Sequence, residues 1–495
     1  MVMKSATLLR AARLGTLGLL PVLVACNDND GDTTPASSLE LKAHSVTPAL
    51  VKVMPGFESL QILPLISSDD VLSESPGFVF GPQPDGAGLL RNPAGEGFVL
   101  INNHEISQSV SRVYLDKTFK PVKGEYIVDY NGGTTRLCSA TLATPEEHGF
   151  PRAMFLTAGE SGAESMVHAI DPVGPLDKTN SGRRKPALGK ASMENAVPLN
   201  KQAYPGKTVI IIGEDNTDGQ VLLYVSNTPG DLENGKLYMM KRPNGDPVET
   251  SLSTGTAYDV EWVEIPGVSS MTGAQIAAFS VTNSALQLAR VEDLDYRKGS
   301  AANNREIYFT ATGVSQADKV TPVAGKTMWG RVYKLNLNAT NAVGPAKLEV
   351  VVDGGTEPGR YIVNPDNICV TDNYVYIQED GDSFYRDTDH DGRIWQWAIN
   401  APGQRAKAML EMDHRRTDAT FNAKYNPSNS LSKSSWEYGA MYDISDLVNK
   451  PNTFLVNIHP HTWQDPKFRN ADGSGAAANT NAEGGQVVIL RGVAK

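Results

Sequence analysis

Between Asn364 and Trp397 the chain sets seven aspartates and one glutamate around two short apolar strands, NYVYIQ and RIWQWAI. Strands ordinarily exclude Asp, so carboxylates gathered at strand ends need a physical reason. Turn chemistry supplies one, because Asp bonds nearby backbone in tight turns. Cation binding supplies the other, because converging carboxylates repel until a cation stands among them. The same pattern, a short strand closed by an acidic residue, recurs along the chain. It predicts strands that aim acidic groups at one metal-filled centre.

Strand signals dominate elsewhere. GFVLIN (97–102), TVIIIG (208–213), QVLLYVS (220–226), KLYMMK (236–241), KLEVVVD (347–353) and QVVILRG (486–492) are typical. Each is short, rich in Val, Ile, Leu and Tyr, and bounded by turn-forming residues. About two dozen such segments and few amphipathic helices predict an all-β fold, a β-propeller of about six blades. A double sandwich is the competing architecture. Residues 171–207, 296–304 and 413–436 read as long loop insertions.

Lys4, Arg10 and Arg13 precede an apolar run, Leu14 to Ala25, and then Cys26. A basic start, a short apolar middle and the tetrapeptide Leu23-Val24-Ala25-Cys26 have the form of a lipoprotein signal cut before an acylated cysteine. The expected organisation is a signal peptide over 1–25, an acylated Cys26 with a flexible tether over 26–45, and a single domain over 46–495. The expected location is the cell envelope, with the N-terminal lipid as the sole membrane attachment and Asn27 after the cysteine favouring the outer membrane. Removing residues 1–25 takes away three basic and no acidic residues and leaves 42 basic against 56 acidic, a net charge of −14. That balance argues against nucleic acid, which needs a cationic surface. An acidic chain holds an anion only where local cations reverse the field. Besides Cys26 there are two cysteines, Cys138 and Cys369, too few for a disulfide framework although one bridge between them is open. A monomer is expected.

The candidate ligands lie mostly at strand ends: Asn103-His104-Glu105, Cys138, Glu160, Glu194, Glu214-Asp215, Glu292-Asp293, and Asp366 with Glu379-Asp380. Singly each reads as a solvated turn residue; together they read as one shared site. Cys138 is either a small buried hydrophobe or, as a thiolate, a soft ligand for iron or zinc. Asp387, Asp389 and Asp391, followed by Gly392, resemble the opening of a calcium loop, but the twelfth position is Ala398 and not a bidentate glutamate. His459 and His461 sit on alternate positions and can face one way, although padding of a blade closure is the favoured reading. Nucleophile-elbow, phosphate-loop, HExxH and dinucleotide signatures are missing from the sequence.

Taken in order, INNHE (101–105), the glycine-led Cys138, LTAGE (156–160), ALGKASMENA (187–196), IGEDN (212–216), ARVEDLDY (289–296), NPDNICVTDN (364–373) and TFLVNIHPHT (453–462) resemble one family, the PhoX-type alkaline phosphatases of bacterial envelopes. The resemblance implies a six-bladed propeller-like fold with calcium and iron at a central site that hydrolyses phosphomonoesters. It makes Glu105, Glu160, Glu194, Glu292 and Asp366 candidate metal ligands, Cys138 an iron ligand, and Asp215 and Glu379 further candidates. Arg290 and Asn103 are the candidates for handling substrate, Arg290 through its fork of donors. Small phosphorylated molecules are the expected substrates. The competing readings are a non-enzymatic calcium-stabilised surface propeller and another propeller hydrolase acting on phytate or lactones.

Overall fold

The strands close into a ring of antiparallel sheets in a computed structural model that describes residues 39–129, 132–176, 182–356, 359, 362–381, 390–427, 436–468 and 483–495. The expected signal peptide and Cys26 lie outside the described residues. From Leu39 to Lys495 the chain forms one compact unit.

Six blades follow one another around an axis. The first runs Ala87–Arg91, Phe98–His104, Ser109–Leu115, Pro121–Val128 from the centre outward, and the second Leu137–Ala143, Met154–Gly159, Val167–Ile170. The third starts at Met193–Pro198 and the fourth at Val291–Tyr296; the outer strand Ala257–Glu264 joins these two into one nine-stranded sheet. The fifth begins at Pro365–Val370 and gains Val51–Val53 at its rim. The sixth begins at Glu437–Asp443 and is completed by Gln61–Ser67, which pairs with Gln486–Arg491. Two early strands thus close the ring on late blades.

Burial explains the composition of the strands. A strand with one wet face alternates apolar and polar residues, but a blade is covered on both sides. Phe98–His104 and Thr453–His459 are buried at every position. The apolar side chains gather into six main clusters, each between two neighbouring blades: Ile101, Val110, Leu137 and Phe155 join the first to the second, and Tyr376, Ile394, Tyr438 and Phe454 join the fifth to the sixth. Every blade is therefore held by its neighbours as much as by its own hydrogen bonds.

Three sequence expectations change. Residues 171–207, read as an insertion, contain Met193–Pro198, the innermost strand of the third blade. Its short apolar content, MENAVP, hid it. Within 413–436 lies the helix Ala419–Tyr425, capped by Asp418. The expected tether ends earlier than residue 45, since Leu41 is buried with Leu65, Phe80 and Leu455. A longer helix, Gly273–Thr282, opens on a Thr272/Gln275 capping box.

Candidate metal centre

One topological rule assembles the site. In each blade the first strand starts, and the second strand ends, at the same mouth of the axial channel. Residues at the first-strand starts are Asp85 (just before its strand), Cys138, Glu194, Glu292, Asp366 and Glu437. Residues following or ending the second strands are Glu105, Glu160, Asp215, Asp380 and His459. The fourth blade alone offers Thr312 at the second position instead of an acid or histidine. Eleven ligand-type side chains thus converge from six blades.

Backbone bulges aim the inner tier. Register breaks fall between Leu137 and Ala140, Met193 and Ala196, Val291 and Leu294, and Pro365 and Ile368. Each break encloses a ligand and the small polar residue after it: Cys138-Ser139, Glu194-Asn195, Glu292-Asp293 and Asp366-Asn367. A bulge turns two consecutive side chains away from strict alternation, so one reaches the channel while the next stays in the ring. The polar followers tie the blades together. Asn195 Nδ2 donates to Asp293 Oδ1 at 2.5 Å, and Asp293 Oδ2 accepts from the Ile368 backbone at 3.1 Å. Asn367, with its amide oriented to satisfy both ends, donates to Asp85 Oδ1 at 3.1 Å and accepts from Ser139 Oγ at 2.9 Å.

Two tight triads occupy the centre. Asp85, Glu105 and Cys138 place ligand atoms within 4.8 Å of one another, as do Glu194, Glu292 and Asp366, and all six residues are buried. Burial alone disfavours their ionised forms, and each then suffers the charge of its neighbours. Asp85 is raised well above the carboxylate range by burial and then by Glu437 and Glu105. Glu194 and Asp366 are raised likewise by burial and, next, by Glu292. Glu160 is pushed up to about 8 by burial, Glu105 and Asp215. Burial and Glu160 raise the Cys138 thiol, which donates to Glu160 Oε2 at 3.3 Å.

The protein itself supplies few counter-charges. Arg136 Nη1 lies 2.7 Å from Glu105, and Arg290 forks onto Asp215 at 2.8 and 3.2 Å. Arg290 Nη2 is also 2.6 Å from Glu292 Oε1, but out of line for a hydrogen bond, so that carboxylate oxygen is buried with a charge nearby and no donor. Buried Asn103 Oδ1 and Gln83 Oε1 lack donors as well. Acceptors without donors, among carboxylates that outnumber their cations, fit bound metal ions.

The structure brings together Glu105, Cys138, Glu160, Glu194, Asp215, Glu292 and Asp366. It moves three other expectations. Glu379 is turned away from the channel: it binds His390 Nε2 at 3.0 and 3.1 Å and accepts from the Val363 and Arg393 backbones. Strand alternation gives the channel to Asp380, whose charge reaches Glu292 and Asp366. Asn103 is a strut and not a substrate contact, since it is fully buried and its amide donates to Thr157 Oγ1 at 2.7 Å and to the Cys138 carbonyl. Of the expected calcium turn, Asp387 and Asp389 lie outside the described residues, and Asp391 is gripped by Arg416 through two contacts of 2.5 Å. Arg290 stands at the centre with its Nε and Nη2 turned to Asp215 and Glu292. Cys138 and Cys369 are both free thiols, so the bridge between them does not form.

Sequence reading missed Asp85, Glu437 and Arg136. Asp85 sits in a Pro-Asp-Gly stretch that reads as a plain turn, and Glu437 begins a strand instead of ending one. The start-of-first-strand rule finds both.

Among solved structures, the chain resembles PhoX of Pseudomonas fluorescens in complex with vanadate, at 13% identity and a TM-score of 0.59, over 91% of this chain and 98% of that one. An α-L-arabinofuranosidase of Fusarium graminearum with an iminosugar inhibitor matches at 11% identity and a TM-score of 0.38, over 83% and 93%, too distant to inform the site. Comparison with curated proteins gives no match. The profile of the family described as alkaline phosphatase PhoX matches residues 166–430, more than half of the chain. Propeller, central acids and family profile agree, and the chain belongs to the PhoX-type alkaline phosphatases, metal-dependent enzymes that hydrolyse phosphate esters.

Proposed function

We propose that the chain is a calcium- and iron-dependent phosphomonoesterase that works on small phosphorylated substrates at the channel mouth. The observation that carries this reading is the excess of buried, mutually repelling carboxylates joined by a thiol. Glu194, Glu292 and Asp366 offer only oxygen, the donor set of calcium, whereas the Asp85–Glu105–Cys138 triad adds a soft sulfur suited to iron. Bound cations would neutralise phosphoryl oxygens and activate the attacking water, reversing the repulsion that an acidic protein otherwise presents to an anion. The chain's own residues hold and orient. Glu160 accepts from the Cys138 thiol, Arg290 restrains Asp215 and Glu292, and half-exposed Arg136 stands where an incoming phosphate would meet a guanidinium.

The test is metal analysis with phosphomonoester turnover, in the native chain and in Cys138→Ser. We expect chelation to abolish turnover, and the substitution to remove iron and any visible charge-transfer absorption with the fold intact. Unchanged iron content and turnover in Cys138→Ser would refute the ligand role. A lipid anchor at Cys26 is proposed from the sequence of residues 1–26: Cys26→Ser should release the protein from membranes, and persistent sedimentation with membranes would count against it.

A further inference from the structure

Beside the acidic triads lies a group of different chemistry. Glu437 opens the innermost strand of the sixth blade and stands directly opposite His459 across the strand pair. His461 follows in a turn whose backbone bonds back, His461 N to His459 O at 3.1 Å and Trp463 N to Pro460 O at 2.7 Å. Ligand atoms of Glu437, His459 and His461 all lie within 4.8 Å of one another.

The outer nitrogen of each ring is already committed. His459 Nε2 meets the Pro84 carbonyl at 2.9 Å, and a carbonyl only accepts, so the proton of a neutral ring sits on Nε2. His461 Nδ1 meets Glu483 Oε2 at 2.9 Å, which likewise makes Nδ1 the donor. With both rings neutral, the inner nitrogens present lone pairs to Glu437 Oε2, at 3.4 Å from His459 Nδ1 and 3.1 Å from His461 Nε2; with no metal bound, the carboxylates on either side of His461 favour a second proton on that ring, which then donates to Glu437. His459 is fully buried, and its Nδ1 lies inside this cluster without a hydrogen bond. Lone pairs facing a carboxylate oxygen repel until a proton or a metal ion stands between them. One ion with bonds of about 2.0–2.1 Å to nitrogen and oxygen separates its donors by roughly 2.9–3.4 Å, the spacing found here.

The surroundings match those of ligating histidines, which donate their other N–H to a backbone carbonyl or a carboxylate and so fix tautomer and ring orientation. Glu483 is itself held by Gln83 Nε2 at 2.9 Å. Imidazole is a poor calcium ligand and suits zinc, cobalt or ferrous ions. We propose that Glu437, His459 and His461 form a separate facial site for one borderline divalent transition metal of the zinc class, with Glu483 as the positioning residue for His461. The site is distinct in donor type from the carboxylate and thiolate triads, and it stands whether or not the phosphatase substrate class is right.

The experiment uses the whole purified chain, stripped of metal, saturated with calcium, and titrated with Co²⁺ under visible absorption. In the Cys138→Ser chain, which lacks the thiolate site, one cobalt per chain with ligand-field bands is expected, and it is lost when His461→Gln is added. Glu483→Gln should bind cobalt 10–100-fold more weakly with the calcium content unchanged. This milder variant keeps the test alive should His461→Gln fail to fold. Bands that vanish in Cys138→Ser but persist in His461→Gln would place the ion on the thiolate and overturn the proposal. So would the absence of cobalt uptake by the calcium-saturated chain, or equal affinity in Glu483→Gln, which would leave the histidines as imidazolium partners of their carboxylates.

Discussion

The two arginines of the centre differ in what they are free to do. Arg290 is held in the left-handed region at φ +62°, an uncommon conformation for a side chain of this size. Its N–H donates to Asn216 O and its carbonyl accepts from Thr312, each at 2.9 Å, so the surrounding loops impose the strain. That posture sends the guanidinium onto Asp215 and Glu292, where it partly offsets their charge. Arg136 keeps 45% of its side chain exposed and, among the described residues, forms one ion pair, with Glu105. A half-exposed guanidinium beside Glu105 is suited to meet an incoming phosphate. Arg136→Gln should therefore raise KM more than it lowers kcat. A charge-assisted bond of about 1.5–3 kcal/mol corresponds to roughly a tenfold to hundredfold loss of kcat/KM. Steady-state kinetics against a phosphomonoester checks this, and an unchanged KM would remove Arg136 from substrate binding.

At the scale of the strand, the site depends on how closely inner strands approach one another. Gly86, next to Asp85, is one example: a Cβ there would lie 2.4 Å from the Ala140 backbone nitrogen and 2.6 Å from the Cys138 carbonyl. Backbone cannot swing aside as a long side chain can, so Gly86→Ala must push the first and second blades apart at the level of the thiol. A cost of about 1–3 kcal/mol is expected for such overpacking, together with loss of metal from the Asp85–Glu105–Cys138 triad. Melting and metal content in the variant check it; native metal content would show that the approach is not needed. The same strands show what a sequence can reveal. Second and third strands such as TVIIIG and QVVILRG are legible because blades bury both faces, which demands unbroken Val, Ile and Leu. An inner strand such as MENAVP carries a ligand and a bulge, breaks alternation and reads as a loop. The acids at second-strand ends stand out from sequence because a carboxylate after an apolar run is anomalous. Choosing between Glu379 and Asp380 was beyond it, because a shift of one residue reverses the facing and only pairing fixes the register.

For the molecule as a whole, converging six blades on an acidic channel stores repulsion in the fold. Burial and neighbouring charge raise Asp85, Glu194, Glu292 and Asp366 above the carboxylate range, and Glu160 from 4.5 to about 8. A carboxyl with a folded pKa above its unfolded one binds its proton more tightly in the folded state. Its contribution to stability is complete below the unfolded value and is lost as pH rises through the folded value. The metal-stripped chain should accordingly lose stability as pH climbs from 4.5 to about 8, the window that Glu160 defines. Cations reverse this dependence, because they bind the ionised carboxylates and so favour the folded state most where those groups are deprotonated. Recovery of a few kcal/mol in a domain of this size should raise Tm by roughly 2–5 °C at pH 8, and by much less at pH 5. Thermal melts at both pH values, in chelator and in calcium, measure the difference. A stripped chain that melts higher at pH 8 than at pH 5 would mean that the channel carboxylates are not the stored strain, and that the six-bladed ring tolerates its acidic axis without metal.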